Sequence, residues 1–236
     1  MKQSIHTLPL AVIIALVVLF TGCNKQVVKD LSTPGEKGTV TSKYAHKNLD
    51  GTDLLLAPIA PFSEVKNDGS MKVVVVPDDV FAVGVAASTT DEELVSTRVV
   101  DGVLTVSYTD ELDVDNPGNI VYVHSPIVDK MTMTRKGTVE SAGYYSRLDV
   151  NMQGKGKIVL TGGIATLNIA ASGQGEVDAH GMPAIDVVVT GKSNGIISVA
   201  PINTLNVNVS GSAKIYYTGS PAVTSRLGGS AQLIHQ

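Results

Sequence analysis

Tryptophan is absent from this chain, cysteine occurs once, at Cys23, and only three Phe and seven Tyr carry aromatic rings among 236 residues. A lone cysteine excludes an intrachain disulfide and a cysteine metal set, and the scarcity of rings makes for poor sugar-stacking platforms. Basic residues are not in excess, with 18 Lys and Arg against 22 Asp and Glu for a net charge of −4, so nucleic acid is not an expected partner. Five histidines (6, 46, 124, 180 and 235) are scattered, and nothing resembles HExxH, a phosphate-cradling glycine loop or a serine nucleophile elbow. No catalytic residue, metal site or cofactor is therefore expected.

What is present begins with a leader. Lys2 gives a positive start, and Leu8 to Phe20 is an apolar run of 13 residues interrupted only by Pro9. It is too short to span a bilayer comfortably and runs directly into small residues and a cysteine, as a secretory signal does. "FTGC" resembles a bacterial lipobox, with Phe20 where Leu is usual, and assigns residues 1–22 to a signal peptide cut before a lipidated Cys23. Asn24 is not the aspartate that retains some lipoproteins at the inner membrane, so the expected place is the outer membrane. Residues 23–47 are polar, with lysines at 25, 29, 37, 43 and 47 beside Pro34, Gly35 and Gly38, and read as a flexible tether.

The folded domain is expected over 48–236, as an N-terminal β portion at 48–130 and repeated coils at 131–236. In the N-terminal portion, "TTDEELV" has capping-box spacing at Thr90 and Glu93 and predicts a single helical turn. "STRVVDGVLTVSY" predicts a hairpin turning at Asp101-Gly102. Further strands are expected at 71–76, 80–87 and 120–124, in ordinary antiparallel pairing. "DELDVDNPGN" offers Asp110, Glu111, Asp113 and Asp115 as weak calcium candidates, but it lacks the spacing of a calcium loop and reads as a solvated hairpin loop.

The C-terminal portion repeats. Glycines at 137, 154, 173, 191, 211 and 229 recur at intervals of 17, 19, 18, 20 and 18, a period that indicates stacked coils. Two, four and six residues before each lie mostly aliphatic side chains, among them Leu167, Ile169 and Ala171, then Ile185, Val187 and Val189, then Leu205, Val207 and Val209. That is one inward strand face. The coil from Gly191 slips this register, with Gly195 where an aliphatic residue is due. A coil cannot bury its own apolar face, but stacked copies make a continuous core. The pattern predicts an all-β, parallel β-helix (β-solenoid) of about six coils, right-handed by the chirality of parallel crossovers.

These coils, the "VVDGVLTVSY" hairpin and the leader together resemble the putative auto-transporter adhesin, head GIN domain family, largely of Bacteroidota. The likeness covers roughly 60–236; Lys136, Gln153 and Gly228 stand where members carry the serine of "SGSG". It implies a right-handed β-helix with an N-terminal β portion packed on it, and it supplies no catalytic residue to carry over.

Three functions follow as expectations. The first is a non-catalytic, lipid-anchored envelope module of adhesion type, presenting a surface to a glycan or protein. The second is a polysaccharide-active enzyme, which needs clustered carboxylates, whereas Glu140, Asp149, Glu176, Asp178 and Asp186 recur at no common coil position. The third is a structural or envelope-stress accessory protein. In the pairs Tyr144-Tyr145 and Tyr216-Tyr217, alternation sends one ring inward and one outward. Residues 48–129 carry 15 acidic and 3 basic side chains, and 130–236 carry 5 and 9, a split compatible with head-to-tail contact. Weak self-association through the C-terminal coil is expected on edge-strand grounds.

Overall fold

Alternation along the strands produces the coil. Ile158, Leu160, Leu167, Ile169 and Ala171 are buried, while Thr161, Asn168 and Ala170 between them point outward. The computed structural model describes residues 46–48, 51–87, 94–109 and 118–236. Fifteen strands run in chain order: β1 Ala57–Pro58, β2 Glu64–Asn67, β3 Lys72–Pro77, β4 Ala82–Ala86, β5 Val95–Val100, β6 Val103–Tyr108, β7 Ile120–Ser125, β8 Lys130–Met133, β9 Thr138–Met152, β10 Lys157–Ala171, β11 Glu176–Ser193, β12 Ile196–Gly211, β13 Lys214–Tyr217, β14 Ala222–Leu227 and β15 Gln232–His235. The predicted turn at Thr90–Glu93 and the acidic segment at 110–117 lie outside the described residues, as does Cys23.

β9, β10, β11 and β12 stack in parallel, each bending midway, and β13, β14 and β15 complete a β-solenoid of about six coils. The inward side chains of β9 to β12 and Ile215 of β13 belong to one core cluster, and Leu233 of β15 packs against it, while Val223 and Leu227 of the terminal β14 are exposed. Successive first strands place Lys157 over Thr138, Glu176 over Lys157, Ile196 over Glu176, Lys214 over Ile196 and Gln232 over Lys214. Coils therefore rise by 19, 19, 20, 18 and 18 residues.

That register differs from the glycine alignment at two positions. Gly137 lies under Gly156, not under Gly154, whose neighbour below is Arg135. Gly191 pairs with Ala171 and Val209, and the residue between Gly173 and Gly211 in the turn column is Ser193. Ser193 can replace glycine because its buried hydroxyl donates to the Gly173 carbonyl at 3.0 Å and accepts from the Gly195 amide at 3.0 Å. The longest coil loses register between Ala179 and Pro183, which pair with the adjacent Val199 and Ala200, and pairing shifts again between Ala184 and Asp186. A one-residue shift turns a side chain to the other face. Ile185, expected inward, is accordingly exposed, while Val187 and Val189 are buried.

The N-terminal portion is a second correction. Asp101 (φ 50°) and Gly102 (φ 75°) make the expected hairpin between β5 and β6. Among the described residues only that pairing and those of β4 with β1 and β7 are antiparallel strand pairs. β2 lies parallel between β6 and β8, and β3 lies parallel between β7 and β9. The β2–β3 segment thus forms a coil inserted between β6–β7 and β8–β9, out of chain order. β6 and β7 do not pair with each other. Alternation has the same period in parallel and antiparallel strands, and cannot distinguish them.

Methionines fill the narrow corner of the stack. Met71, Met131, Met133 and Met152 are buried, and a Cβ on Gly156 or Gly175 would meet the sulfur of Met133 at 3.0 Å or of Met152 at 2.6 Å. Unbranched thioethers suit a tapering space roofed by glycine.

Candidate functional site

The second strand segment carries a ladder, two columns of mainly polar side chains between its inward positions. Lys130, Asp149, Asn168, Val188, Asn206 and Thr224 stack at one position, one per coil. Two residues on, Thr132, Asn151, Ala170, Thr190, Asn208 and Arg226 do the same. Parallel pairing sets the steps at about 4.8 Å and keeps the face flat.

At its N-terminal end the ladder becomes a charged network. Arg147 donates through Nε and one terminal nitrogen to the two oxygens of Asp149, each at 3.2 Å, and Asn168 Nδ2 donates to Asp149 Oδ1 at 2.8 Å. The Asn168 hydrogen bond, with Arg147 and Lys130, holds the Asp149 carboxyl below its ordinary range. Asp149 therefore stays an acceptor, and its two oxygens hold the guanidinium through two hydrogen bonds.

Beside the network stands Tyr144, 90% exposed at the bend of β9. Gly163 lies above it in the next coil, and a Cβ there would sit 3.1 Å from the ring. The glycine lets the phenol lie against the backbone of the neighbouring coil. Tyr145 turns inward, with its hydroxyl 2.5 Å from Ser141 Oγ, and burial raises its pKa. Tyr144, Ile127, Pro126 and Arg147 line a cleft of about 320 Å³, and Arg147 also borders the ladder, joining ring and network into one surface. The expected split of rings holds for Tyr144-Tyr145. In Tyr216-Tyr217 both rings are half-buried, and Tyr217 is the one that packs on the core, stacking on His235 at 4.7 Å.

The five coil carboxylates all have partners. Glu140 pairs with Lys72 at 2.8 Å, Glu176 and Asp178 with Lys157 at 2.9 and 3.7 Å, and Asp186 accepts from Thr204 at 2.5 Å. They divide between two faces: Glu140, Glu176 and Asp178 on the first strand segment, Asp149 and Asp186 on the second. Among the described residues no group of three His, Cys, Asp or Glu could hold a metal, and no helix is long and apolar enough to cross a membrane. Asp110, Glu111, Asp113 and Asp115 fall outside those residues.

Residues 61–221 match the family described as putative auto-transporter adhesin, head GIN domain. The chain belongs to that family. A solved structure of a putative adhesin shares its fold. A putative adhesin of Bacteroides fragilis is 17% identical with a TM-score of 0.60, over 77% of this chain and 94% of that one. A putative adhesin of Parabacteroides distasonis is 18% identical with a TM-score of 0.44, over 78% and 96%. No curated protein matches this head GIN chain.

Sequence reasoning missed Arg147 and Gly163, and took Asp149 only as an unclustered acid. The signal for Arg147 and Asp149 is their i, i+2 spacing on one strand face, with Asn168 falling at the same coil position as Asp149 once the 19-residue rise is known.

Proposed function

We propose that the protein is a non-catalytic, lipid-anchored module of the bacterial cell envelope that binds a glycan through the face built by Tyr144, Arg147, Asp149 and Asn168. The observation that carries this reading is the exposed Tyr144 ring beside a hydrogen-bonded Arg147–Asp149–Asn168 array. A sugar ring presents an apolar C–H face and a rim of hydroxyls. The phenol matches the first, and fixed donors and acceptors match the second. Membership of an adhesin family supports the class of function. The partnered carboxylates favour binding over hydrolysis, which requires a raised acid facing a second carboxylate across the sugar. The lipobox at Cys23 supports the anchor, and Asn24 supports the outer membrane.

A glycan array probed with the purified protein and with Tyr144→Ala tests the site. Retention of a defined glycan class, lost in the variant at unchanged melting temperature, is expected. No retention, or retention indifferent to Tyr144, refutes it. For the anchor, Cys23→Ser is expected to leave membranes on alkaline washing; a variant that stays refutes the lipidation.

A further inference from the structure

The second strand segment is the regular part of the stack. Residues 147–152 pair in unbroken register with 166–171, these with 186–191, these in turn with 204–209, and 204–209 with 222–227. The register shifts of β10 and β11 all fall earlier, before Thr166 and Asp186. The columns that contain Asn168 and Ala170 therefore run straight along the coil axis, one residue per step of about 4.8 Å.

The polar groups of these columns are left free. On the first strand segment, Lys72 pairs with Glu140 and Lys157 with Glu176, so that face satisfies much of its own charge. On the second, the side chains of Asn151, Thr190, Asn206 and Asn208 make no hydrogen bond among the described residues. Stacked asparagines would bond amide to amide, but Val188 stands between Asn168 and Asn206, and Ala170 between Asn151 and Thr190. Ala170, Thr190, Asn206 and Asn208 are exposed and Val188 is half-buried. Ala170 and Val188 are diagonal neighbours on adjacent coils, so they form one apolar step with amides and a hydroxyl around it. Between Asp149 and Arg226 neither column carries a charge. At the margins, Asp186 accepts from Thr204, and Lys192 stands beside the turn.

We propose that these columns bind a linear, neutral, β-1,4-linked polysaccharide running along the coil axis from the Tyr144 platform. The inference rests on the glycan reading of that platform and carries the bound chain two coils beyond Asn168, to Asn206 and Asn208. An extended β-1,4 chain is straight, with C–H faces and rims of hydroxyls, and one strand step is close to one sugar unit. Ala170 and Val188 meet a C–H face. The free amides offer both donors and acceptors, as hydroxyls require. An unbroken straight array suits such a chain and not the coiled chain of an α-1,4 glucan. A uronate is disfavoured, because a carboxylate set against Ala170 or Val188 would lose hydration with no cation of the columns to replace it.

The test is calorimetric titration of the purified protein with β-1,4 oligosaccharides of the glucose, mannose and N-acetylglucosamine series, as dimers, tetramers and hexamers. An α-1,4 glucan hexamer and an oligogalacturonate serve as comparisons. For at least one β-1,4 series, affinity is expected to rise about tenfold from dimer to tetramer, the gain of a net hydrogen bond or two, and to level off by the hexamer. In the double variant Asn206→Ala, Asn208→Ala the tetramer should bind no better than the dimer, with dimer affinity and melting temperature unchanged. Val188→Lys, which sets a charge on the apolar step, should remove the same gain. No binding of any β-1,4 oligomer, equal affinity at all lengths, a gain indifferent to the double variant, or equal affinity for the α-1,4 glucan or the uronate overturns the proposal. The two readings fail separately. Binding lost in Tyr144→Ala but flat in chain length sinks the columns and leaves the platform, whereas a length-dependent gain that survives Tyr144→Ala sinks the platform and leaves the columns.

Discussion

Asn168 reaches down one coil to Asp149 at 2.8 Å, and the same carboxylate holds Arg147 of its own coil at 3.2 Å. The contact exists only because the coils stack with a rise of 19 residues, so fold and site share one register. Asp149→Ala should cost under about 1 kcal/mol of stability, since Arg147 and Asp149 are both solvent-accessible. It should nevertheless abolish glycan retention, because Arg147 loses its orientation. The pH dependence has a definite sign. The Asp149 carboxyl is depressed below the ordinary value of 3.8, so the network is complete above that value and is lost as pH falls through the lower, folded-state pKa. Retention that fades already between pH 6 and 5 would contradict this assignment.

Gly163 tests the platform without touching a polar group. Valine there would press its side chain into the ring of Tyr144, which the absent Cβ now clears by 3.1 Å. The expected result is a displaced phenol, detected as altered tyrosine fluorescence quenching, together with loss of glycan retention. Gly163→Val with native quenching and native retention would mean that the ring is not held as described.

Glycines of two kinds should respond differently. A Cβ on Gly173 would meet backbone oxygens at 2.1 and 2.4 Å, so Gly173→Ala must push neighbouring coils apart, at about 1–3 kcal/mol. Gly102 has open space around it and only its φ of 75° to object, so Gly102→Ala should cost about 1 kcal/mol. Thermal melts of the two variants decide the matter. Equal shifts would mean that coil stacking is looser than the contacts imply.

Strand positions and the turn at Asp101-Gly102 were legible because alternation and turn chemistry are local properties. The approximate coil period was legible because Gly154, Gly173, Gly211 and Gly229 do share one column. Gly137 and Gly191 misled because every turn has several tight positions, and Ser193 meets one of them through hydroxyl bonding where spacing alone would seek glycine. Insertion of β2–β3 between strands that follow it was illegible for another reason. It depends on which edges meet in space, and nothing in "EVKN" or "KVVVVP" specifies a neighbour. The buried methionines carried a readable signal, since Met133 and Met152 stand 19 residues apart at one coil position.

His46 supplies the last prediction. Its ring stacks on Tyr122 at 3.9 Å and 16°, and meets the edge of His124 at 5.0 Å. His124 is in turn held by Asp78 at 2.8 Å, and Glu140 lines the same cleft as His46. The entering segment is tied down by the Leu54 amide, which donates to the His46 carbonyl at 2.9 Å, and by the pair Lys47–Asp53. Burial lowers the pKa of His46, and the proximity of His124 lowers it further. Docking thus favours the neutral imidazole. Its contribution is complete above the ordinary value of 6.5 and is lost as pH falls below 6.5 through the lower, docked-state pKa. Amide exchange at Leu54, corrected for its intrinsic rate, should therefore be slower at pH 7.5 than at pH 5. In His46→Phe, which keeps a stacking ring and removes the proton site, the difference should shrink. Equal protection of Leu54 at both pH values in the unmodified protein would show that the segment is held by its backbone contacts and not by the His46 ring.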